Sequence, residues 1–196
     1  MESPEYPSTP TRRNRRWVLW TLAITLPVAL FVLFVFTVRL GLRAGGVRAY
    51  VISSAAMAPT LEAGDGVFVN NFAYASSMPG RGDVVTFVRD GMGETVWVKR
   101  VIAIGGDVIQ GSGDQIILNG QVLHEPYVAP IDSSEPLPDP FGPITVPLGK
   151  LFLIGDSRQN SNDSRYFGCV DSKNVRGKVT YILSSKDPAR NFTRVR

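Results

Sequence analysis

The chain has 196 residues, of which 44% are hydrophobic, which is enough for one compact domain with a packed core and a small appendage. Its formal net charge of +4 owes much to arginines near the N-terminus, at positions 12, 13, 15, 16, 39, 43 and 48, a distribution typical of a membrane segment rather than of nucleic-acid binding. With one cysteine, Cys169, and one histidine, His124, an intramolecular disulfide is excluded, and we expect no metal and no other cofactor.

The first predicted element is a membrane anchor at residues 17–38, an uncharged run that reads WVLWTLAITLPVALFVLFVFTV. A helix of about 22 residues spans about 33 Å, enough for the hydrocarbon core of a bilayer. The run is longer than the apolar region of a cleavable signal peptide, and Leu40-Gly41-Leu42-Arg43 is a poor cleavage site. We therefore predict a retained, single-pass anchor.

The flanking charges predict the orientation of this anchor. The arginine cluster at 12–16 favours a cytoplasmic N-terminus. We expect residues 1–16 to form a cytoplasmic tail and residues 44–196 to form an extracytoplasmic domain, held at the cell (plasma or inner) membrane. The lipid bilayer is then a partner of the chain.

The pattern changes after Ala49 to short β-branched or alternating runs separated by Gly and Pro. Such runs predict strands, here at Gly66–Asn70, Asp83–Val88, Val96–Ile104, Gln115–Leu118, Gln121–Leu123, Lys150–Ile154 and Lys178–Leu183. Asn119-Gly120 between two apolar runs is a strong hairpin signal. The predicted fold class is mainly β, an antiparallel sheet domain preceded by one transmembrane helix.

A proline-rich stretch interrupts this pattern. Residues 125–147 hold seven prolines, and proline lacks the N–H donor that a central strand needs. We predict a surface excursion that belongs to a smaller, β-rich inserted lobe at about residues 107–148.

Three polar segments stand out against these strands. They read SSAAMAPTL at 53–61, KRVIAIGGD at 99–107 and GDSRQNSNDSRYFG at 155–168. In this order, behind an N-terminal anchor, they resemble the characteristic motifs of bacterial type I signal peptidases, the family of leader peptidases with a Ser-Lys dyad. The resemblance covers about residues 50–183. It implies a membrane-bound serine endopeptidase that acts in protein secretion by removing N-terminal signal peptides from exported preproteins. The signal peptides of these preproteins are then the expected binding partners.

The resemblance also implies roles for individual residues. Position 56 is the place of the nucleophilic serine, and Lys99 is the general base. Ser54 and the backbone N–H of residue 56 form the oxyanion hole, and Ser161 orients Lys99 by a hydrogen bond.

Further residues have supporting roles by the same resemblance. Asp163 and Arg165 form an ion pair, and Asp156 supports the site from the third motif. Met57, Pro59 and Leu61 are expected to shape the substrate cleft.

The residues around Lys99 support its role as a base. Successive side chains of a strand alternate between its faces, so Lys99 points inward if Val101 and Ala103 do. A lysine base must be neutral, and burial on an apolar face lowers its pKa from the ordinary value of about 10.4. The alternative is a lysine that extends from a strand edge into solvent. Ser54 and Ser161 also have an alternative, because serines in loops often bond to nearby backbone.

Ala56 is the one departure that the chemistry does not tolerate. Acyl transfer by a Ser-Lys pair needs a hydroxyl oxygen to attack the carbonyl, and alanine has none. The hydroxyls of Ser53 and Ser54 are several ångströms away from the required place, at about 3.3 Å per residue. As written, the chain is expected to bind substrate without cleaving it.

Two explanations fit this alanine. One is an engineered variant of an active peptidase, and the other is a natural pseudoenzyme that works as a signal-peptide-binding module. The retained Lys99, Ser54 and Ser161 favour the first, because a base without a nucleophile has no obvious use.

Two other protein classes share some of these features. A soluble self-cleaving repressor uses the same Ser-Lys chemistry, but residues 17–38 and the lack of a DNA-binding helical domain argue against it. A purely structural membrane β-protein would explain the anchor and the strands, but it leaves the three motifs unexplained.

Overall fold

The structure is a computed structural model that describes residues 22–23, 25–37 and 46–195. The chain divides into two compact units, Met1–Gly45 and Gly46–Arg196. In the first, residues 22–23 and 25–37 are helical, and their large apolar side chains are exposed. No helix in the described part of this chain is long and apolar enough to cross a membrane. Part of the predicted anchor lies outside the described residues, namely residues 17–21, 24 and 38. The predicted tail at 1–16 also lies outside them.

The second unit is built from antiparallel strands. In chain order they are β1 (Val47–Val51), β2 (Gly66–Asn70), β3 (Val84–Val88), β4 (Val96–Ile104), β5 (Val108–Ser112), β6 (Gln115–Leu118), β7 (Gln121–Val122), β8 (Phe141–Thr145), β9 (Lys150–Ile154), β10 (Val170–Asp171) and β11 (Val175–Ser184). They form a seven-stranded sheet in the order β1-β2-β11-β3-β4-β9-β10 and a four-stranded sheet in the order β7-β6-β5-β8. The predicted antiparallel β architecture of this unit is confirmed.

The predicted strands at 66–70, 96–104, 115–118 and 150–154 have the bounds seen in the structure. The hairpin prediction is also confirmed, since Leu118 pairs with Gln121. Asn119 and Gly120 between them have φ values of 52° and 81°. A two-residue turn of this kind needs positive φ at both positions, which Asn and Gly tolerate best.

Four strands were not predicted: β1, β5, β8 and β10. Strand β8 contains Pro143 and therefore lies within the stretch expected to be a surface excursion. It is one of the two edge strands of the four-stranded sheet, and an edge strand tolerates proline because the missing N–H can face away from the ladder. The stretch thus contributes a strand after all, although not a central one. The four strands of this sheet all fall between residues 108 and 145.

Three clusters of buried apolar side chains form the core of the second unit. One lies around Leu61, Val67 and Val69, and another lies around Phe87, Val101 and Leu153. The remaining cluster joins the two sheets by packing Ile102 and Phe152 against side chains from β5 and β6, which are Ile109, Ile116 and Leu118. Strand β4 contributes to all three, so both of its faces are buried over residues 99–103.

The turn between the two sheets is fixed by Asp107. Its carboxylate accepts hydrogen bonds from Arg81 Nε at 2.8 Å, the Ile104 N–H at 2.9 Å and Asn119 Nδ2 at 2.9 Å. Burial opposes ionisation of this group, but these bonds, a further hydrogen bond from Arg81 Nη2 and the charge of Arg81 outweigh it and lower the pKa of Asp107 to about 2. The ionised form of Asp107 therefore stabilises the junction between β4 and β5.

The Asp107→Asn variant should lower the free energy of unfolding at neutral pH by about 1–2 kcal/mol. The ordinary pKa of aspartate is about 3.9 and the folded value is about 2. The contribution of Asp107 is thus complete above about pH 4 and is lost as the pH falls through about 2. Urea unfolding of the full chain in detergent, across this pH range, should show the difference between variant and parent shrinking toward low pH. The exposed Asp114→Asn serves as the control, with an effect below about 0.5 kcal/mol. A pH-independent difference would contradict this role.

Candidate active site

A cavity of about 400 Å³, called here the main cavity, lies between β1 and the first half of β4. Its walls come from these strands and from the first and third motifs, and the lining residues are Tyr50, Val51, Ile52, Ser53, Ser54, Ala56, Met57, Thr95, Val96, Trp97, Val98, Lys99, Asn160 and Asn162. Three strands separate β1 from β4 in the sheet, so the sheet must curl for both to line one cavity. This curl brings position 56 and Lys99 to the same space.

Lys99 is buried on the wall of the main cavity, with 3% of its surface exposed. Burial lowers its pKa below the ordinary value for lysine; Asp163 and Asp156 oppose the shift and Arg165 assists it. Both carboxylates are engaged by arginines, Asp163 by Arg165 and Asp156 by Arg100. The amine also lies 5.9 Å from the centroid of the Trp97 ring. The site thus favours the neutral form of the amine more than water does.

The chain around position 56 turns tightly and leaves two donors open to the cavity. The Ala58 N–H donates to the Ala55 carbonyl at 2.9 Å, and the Ala56 carbonyl accepts from the Ser157 N–H at 3.2 Å. Within residues 46–195, neither the Ala56 N–H nor the exposed Ser54 hydroxyl makes a hydrogen bond. Both residues line the main cavity, so an oxyanion could accept from both. The side chain of Ala56 offers only a methyl group.

Gly155 is where the third motif meets position 56. A Cβ on this glycine would lie 2.4 Å from the Ala56 carbonyl oxygen and 2.3 Å from Ser161 Oγ, closer than van der Waals contact allows. Ser161 Oγ is buried and makes no hydrogen bond in the described part of the chain. The structure thus places Ser161 beside the backbone of residue 56, but the hydrogen bond expected from Ser161 to Lys99 is not formed.

Asp163 and Arg165 hold the third motif in place. They form the expected ion pair, in which Arg165 Nε lies 2.8 Å from the Asp163 carboxylate. Asp163 also accepts from the Gly155 N–H at 3.0 Å and caps the short helix Ser164–Phe167. Arg165 donates to the Arg158 carbonyl at 2.8 Å. These bonds close the loop that carries Ser161.

Arg100 joins all three motifs through one buried guanidinium. It donates to both oxygens of Asp156, at 2.8 and 2.6 Å, and both side chains are 1% exposed. It also donates to Thr60 Oγ1 at 3.2 Å in the first motif and lies 3.9 Å from the centroid of the Tyr127 ring. The supporting role expected for Asp156 thus takes the form of an ion pair whose two residues do not line the main cavity.

Of the residues expected to shape the cleft, the structure places only Met57 on the main cavity. Leu61 is fully buried in the core with Val67 and Val69. The turn after residue 56 points it inward, since the Leu61 N–H bonds back to the Met57 carbonyl at 2.8 Å. Pro59 is exposed outside the cavity, and its carbonyl accepts from Arg190 at 3.1 Å.

Sequence reasoning missed several lining residues, notably Tyr50, Trp97, Asn160 and Asn162. Trp97 could have been found, because it is two residues before Lys99 on the same strand and so shares its face. Asn160 and Asn162 flank Ser161 in a loop without periodicity, and no pattern in the sequence gives their direction. In the described part of the chain, no cluster of three or more His, Cys, Asp or Glu side chains could hold a metal ion.

The close approach at Gly155 predicts a stability effect. Gly155→Ala should lower the free energy of unfolding by about 1–3 kcal/mol, because the added methyl group must displace backbone at residue 56. Gly80→Ala is the matched control, since the nearest atom to its added methyl is 3.9 Å away, and its effect should stay below about 0.5 kcal/mol. Equal effects in urea unfolding of the two full-length variants would mean that the loop can move away from Ala56.

Comparisons with known proteins point to one family. The sequence model of the family described as "Signal peptidase, peptidase S26" matches residues 17–184. Signal peptidase I S of Bacillus subtilis is 34% identical over 174 residues, which cover 84% of this chain and 87% of that protein. Signal peptidase I of Bacillus amyloliquefaciens is 36% identical over 173 residues, which cover 84% and 86%.

A solved structure is also similar to part of the chain. It is a signal peptidase I from Enterococcus faecalis, 31% identical, covering 52% of this chain and 97% of that one with a TM-score of 0.46. The family match and the full-length relatives decide the identification: this chain belongs to the signal peptidase family, peptidase S26.

Proposed function

We propose that this chain is a membrane-bound signal peptidase whose site works by a Ser-Lys dyad, and that its Ala56 form binds signal peptides without cleaving them. The observation that carries the proposal is the shared cavity. Lys99 is buried in the wall of the main cavity with a lowered pKa. Ser54 and residue 56, in the loop after β1, line the same cavity. The relatives named above are signal peptidases, which supports the same substrate class.

The proposed reaction needs a serine at position 56. Its hydroxyl oxygen attacks the carbonyl carbon of the scissile peptide bond, and neutral Lys99 accepts the hydroxyl proton. The carbonyl oxygen becomes an oxyanion that accepts hydrogen bonds from Ser54 Oγ and the residue-56 N–H. Collapse expels the new N-terminal amine, which takes the proton from Lys99. Lys99 then removes a proton from water, whose oxygen attacks the acyl ester. The ester bond breaks, the signal peptide leaves as a carboxylate, and the serine oxygen takes the proton from Lys99.

Substrate is proposed to bind in extended form. Strand β1 is an edge of the seven-stranded sheet and Val51 on it is 73% exposed. An open edge beside a cavity can take an added strand through main-chain hydrogen bonds. Small side chains before the scissile bond would then fill the main cavity beside Met57.

The alternative, a natural pseudoenzyme, would bind substrate at the same β1 edge and main cavity but would not cleave the peptide bond. The open Ala56 N–H and Ser54 hydroxyl would then bind a substrate carbonyl in its ground state. The buried Lys99 supports the catalytic reading over this one, since burial of a cation is costly and a binding module does not need it.

Restoring the hydroxyl should restore cleavage. We expect Ala56→Ser to cleave a preprotein, and adding Lys99→Met should lower kcat/KM at least about a hundredfold, because the general base is lost. Lys173→Met in the Ala56→Ser background is the control, since Lys173 is 78% exposed. An inactive Ala56→Ser protein that still binds signal peptide would support the pseudoenzyme instead.

The pH dependence of the Ala56→Ser protein should follow Lys99. Because burial lowers the pKa of Lys99 and only the neutral amine accepts a proton, kcat/KM should rise with pH. The midpoint of the rise should lie below the ordinary lysine pKa of about 10.4. A profile that is flat from about pH 6 to 9 would count against Lys99 as the base.

We also propose that residues 17–38 anchor the chain in the cell membrane with residues 44–196 outside the cytoplasm. Deleting residues 1–43 should release the chain from lipid vesicles in a flotation assay, because the apolar run supplies most of the membrane affinity. A deletion variant that still floats with neutral vesicles to the same extent would place the main membrane contact elsewhere.

A further inference from the structure

A second cavity continues the groove away from position 56. This distal cavity has a volume of about 480 Å³ and is lined by Arg48, Tyr50, Asn71, Val88, Gly93, Glu94, Val96 and Arg176. Tyr50 and Val96 line both cavities, so the two spaces adjoin at these residues. The two cavities therefore form one groove, which runs from Ser54, three residues after β1, to Arg48 on β1.

An extended peptide from the reaction centre would reach the distal cavity after a few residues. Arg48 is six positions before Ser54 in the chain. A substrate peptide in extended form spans about 20 Å over six residues, at about 3.3 Å each. Signal peptides carry their small residues before the scissile bond, so these upstream residues occupy the main cavity. Residues about five to seven positions upstream of the bond then lie at the distal cavity.

The distal cavity is lined by two arginines and one glutamate. Arg48 and Arg176 are exposed, and neither makes a hydrogen bond or an ion pair within residues 46–195. Arg100 and Arg165, in contrast, each hold a carboxylate. The acidic residue of this cavity, Glu94, also has no ion pair in the described part of the chain. Two guanidinium groups are thus available to hydrogen-bond acceptors in the groove.

The proposed substrate brings such acceptors to this place. Upstream of its small residues a signal peptide has an apolar region of about 7–15 residues, and apolar segments in lipid are helical because their backbone must bond internally. Where this helix gives way to the extended segment, its last four carbonyls lack partners and carry about half a negative charge.

We infer that the distal cavity binds the C-terminal end of the substrate's apolar helix, whose carbonyls accept hydrogen bonds from Arg48 and Arg176. The inference rests on the proposed function. It means that the enzyme recognises the place where the substrate's helix ends and its extended segment begins. The carboxylate of Glu94 is repelled by the same helix end, which limits the affinity and predicts an opposite effect on its removal.

The test compares two fluorescent peptides binding to the full Ala56 chain in lipid nanodiscs. The long peptide carries an apolar region, and the short one keeps only about four residues before the cleavage site and the residues after it. Arg48→Gln and Arg176→Gln should each weaken the long peptide about two- to fivefold and leave the short one unchanged. Glu94→Gln should tighten the long peptide by a similar factor. Arg194→Gln, which removes an exposed arginine outside both cavities, should change neither.

Each other outcome has a definite meaning. Equal weakening of both peptides by the arginine variants, or no weakening of either, would overturn the inference and leave the proposed function standing. Failure of the unmodified chain to bind the short peptide would overturn the proposed function itself, and the inference with it.

Discussion

The buried ion pair between Arg100 and Asp156 holds together the parts from which the cavity is made. Removing two charges from water costs several kcal/mol for each ion, so such a pair is favourable only where its hydrogen bonds are met. Here the guanidinium donates to both carboxylate oxygens, to Thr60 Oγ1 and to the Gly82 carbonyl at 2.9 Å, with the Tyr127 ring stacked on it. One side chain therefore connects the turn after position 56, strand β4 and the loop after β9. Loss of either partner would leave an uncompensated charge in the core.

This constraint also positions the proposed base. Lys99 and Arg100 are neighbours on β4, and neighbouring side chains of a strand point to opposite faces. Anchoring Arg100 in the core therefore directs Lys99 to the other face, beside Trp97. Both faces of β4 are buried at this level, so the amine is desolvated and its pKa falls. From the third motif, Asp163 and Arg165 close the loop that brings Ser161 against the backbone of residue 56.

The sequence was informative where a feature depends on neighbouring residues. The β-branched run at 96–104 and the Asn119-Gly120 turn predict their strands and hairpin because side-chain period and φ preference are local properties. Strand β1 was missed because its residues, VRAYV, are mostly exposed and show no clear alternation. Other features depend on contacts between distant segments. They are the inward direction of Leu61, the unpaired hydroxyl of Ser161 and the need for glycine at 155. The family motifs predicted Ser54, position 56, Met57 and Lys99, which all line the main cavity, but also Pro59 and Leu61, which do not. Only the fold shows which residues meet.

The central proposal is that Lys99 is the general base, a buried amine with a lowered pKa in the cavity that residue 56 lines. The most direct measurement is an NMR titration of the lysine side-chain amines in the Ala56 chain, with each of the five lysines assigned by substitution. We predict that Lys99 titrates below the ordinary lysine pKa of about 10.4 and that signal peptide binding perturbs its resonance. If Lys99 titrated at or above the ordinary lysine pKa and did not respond to the peptide, the amine would be solvated and its proposed role as the base would be contradicted.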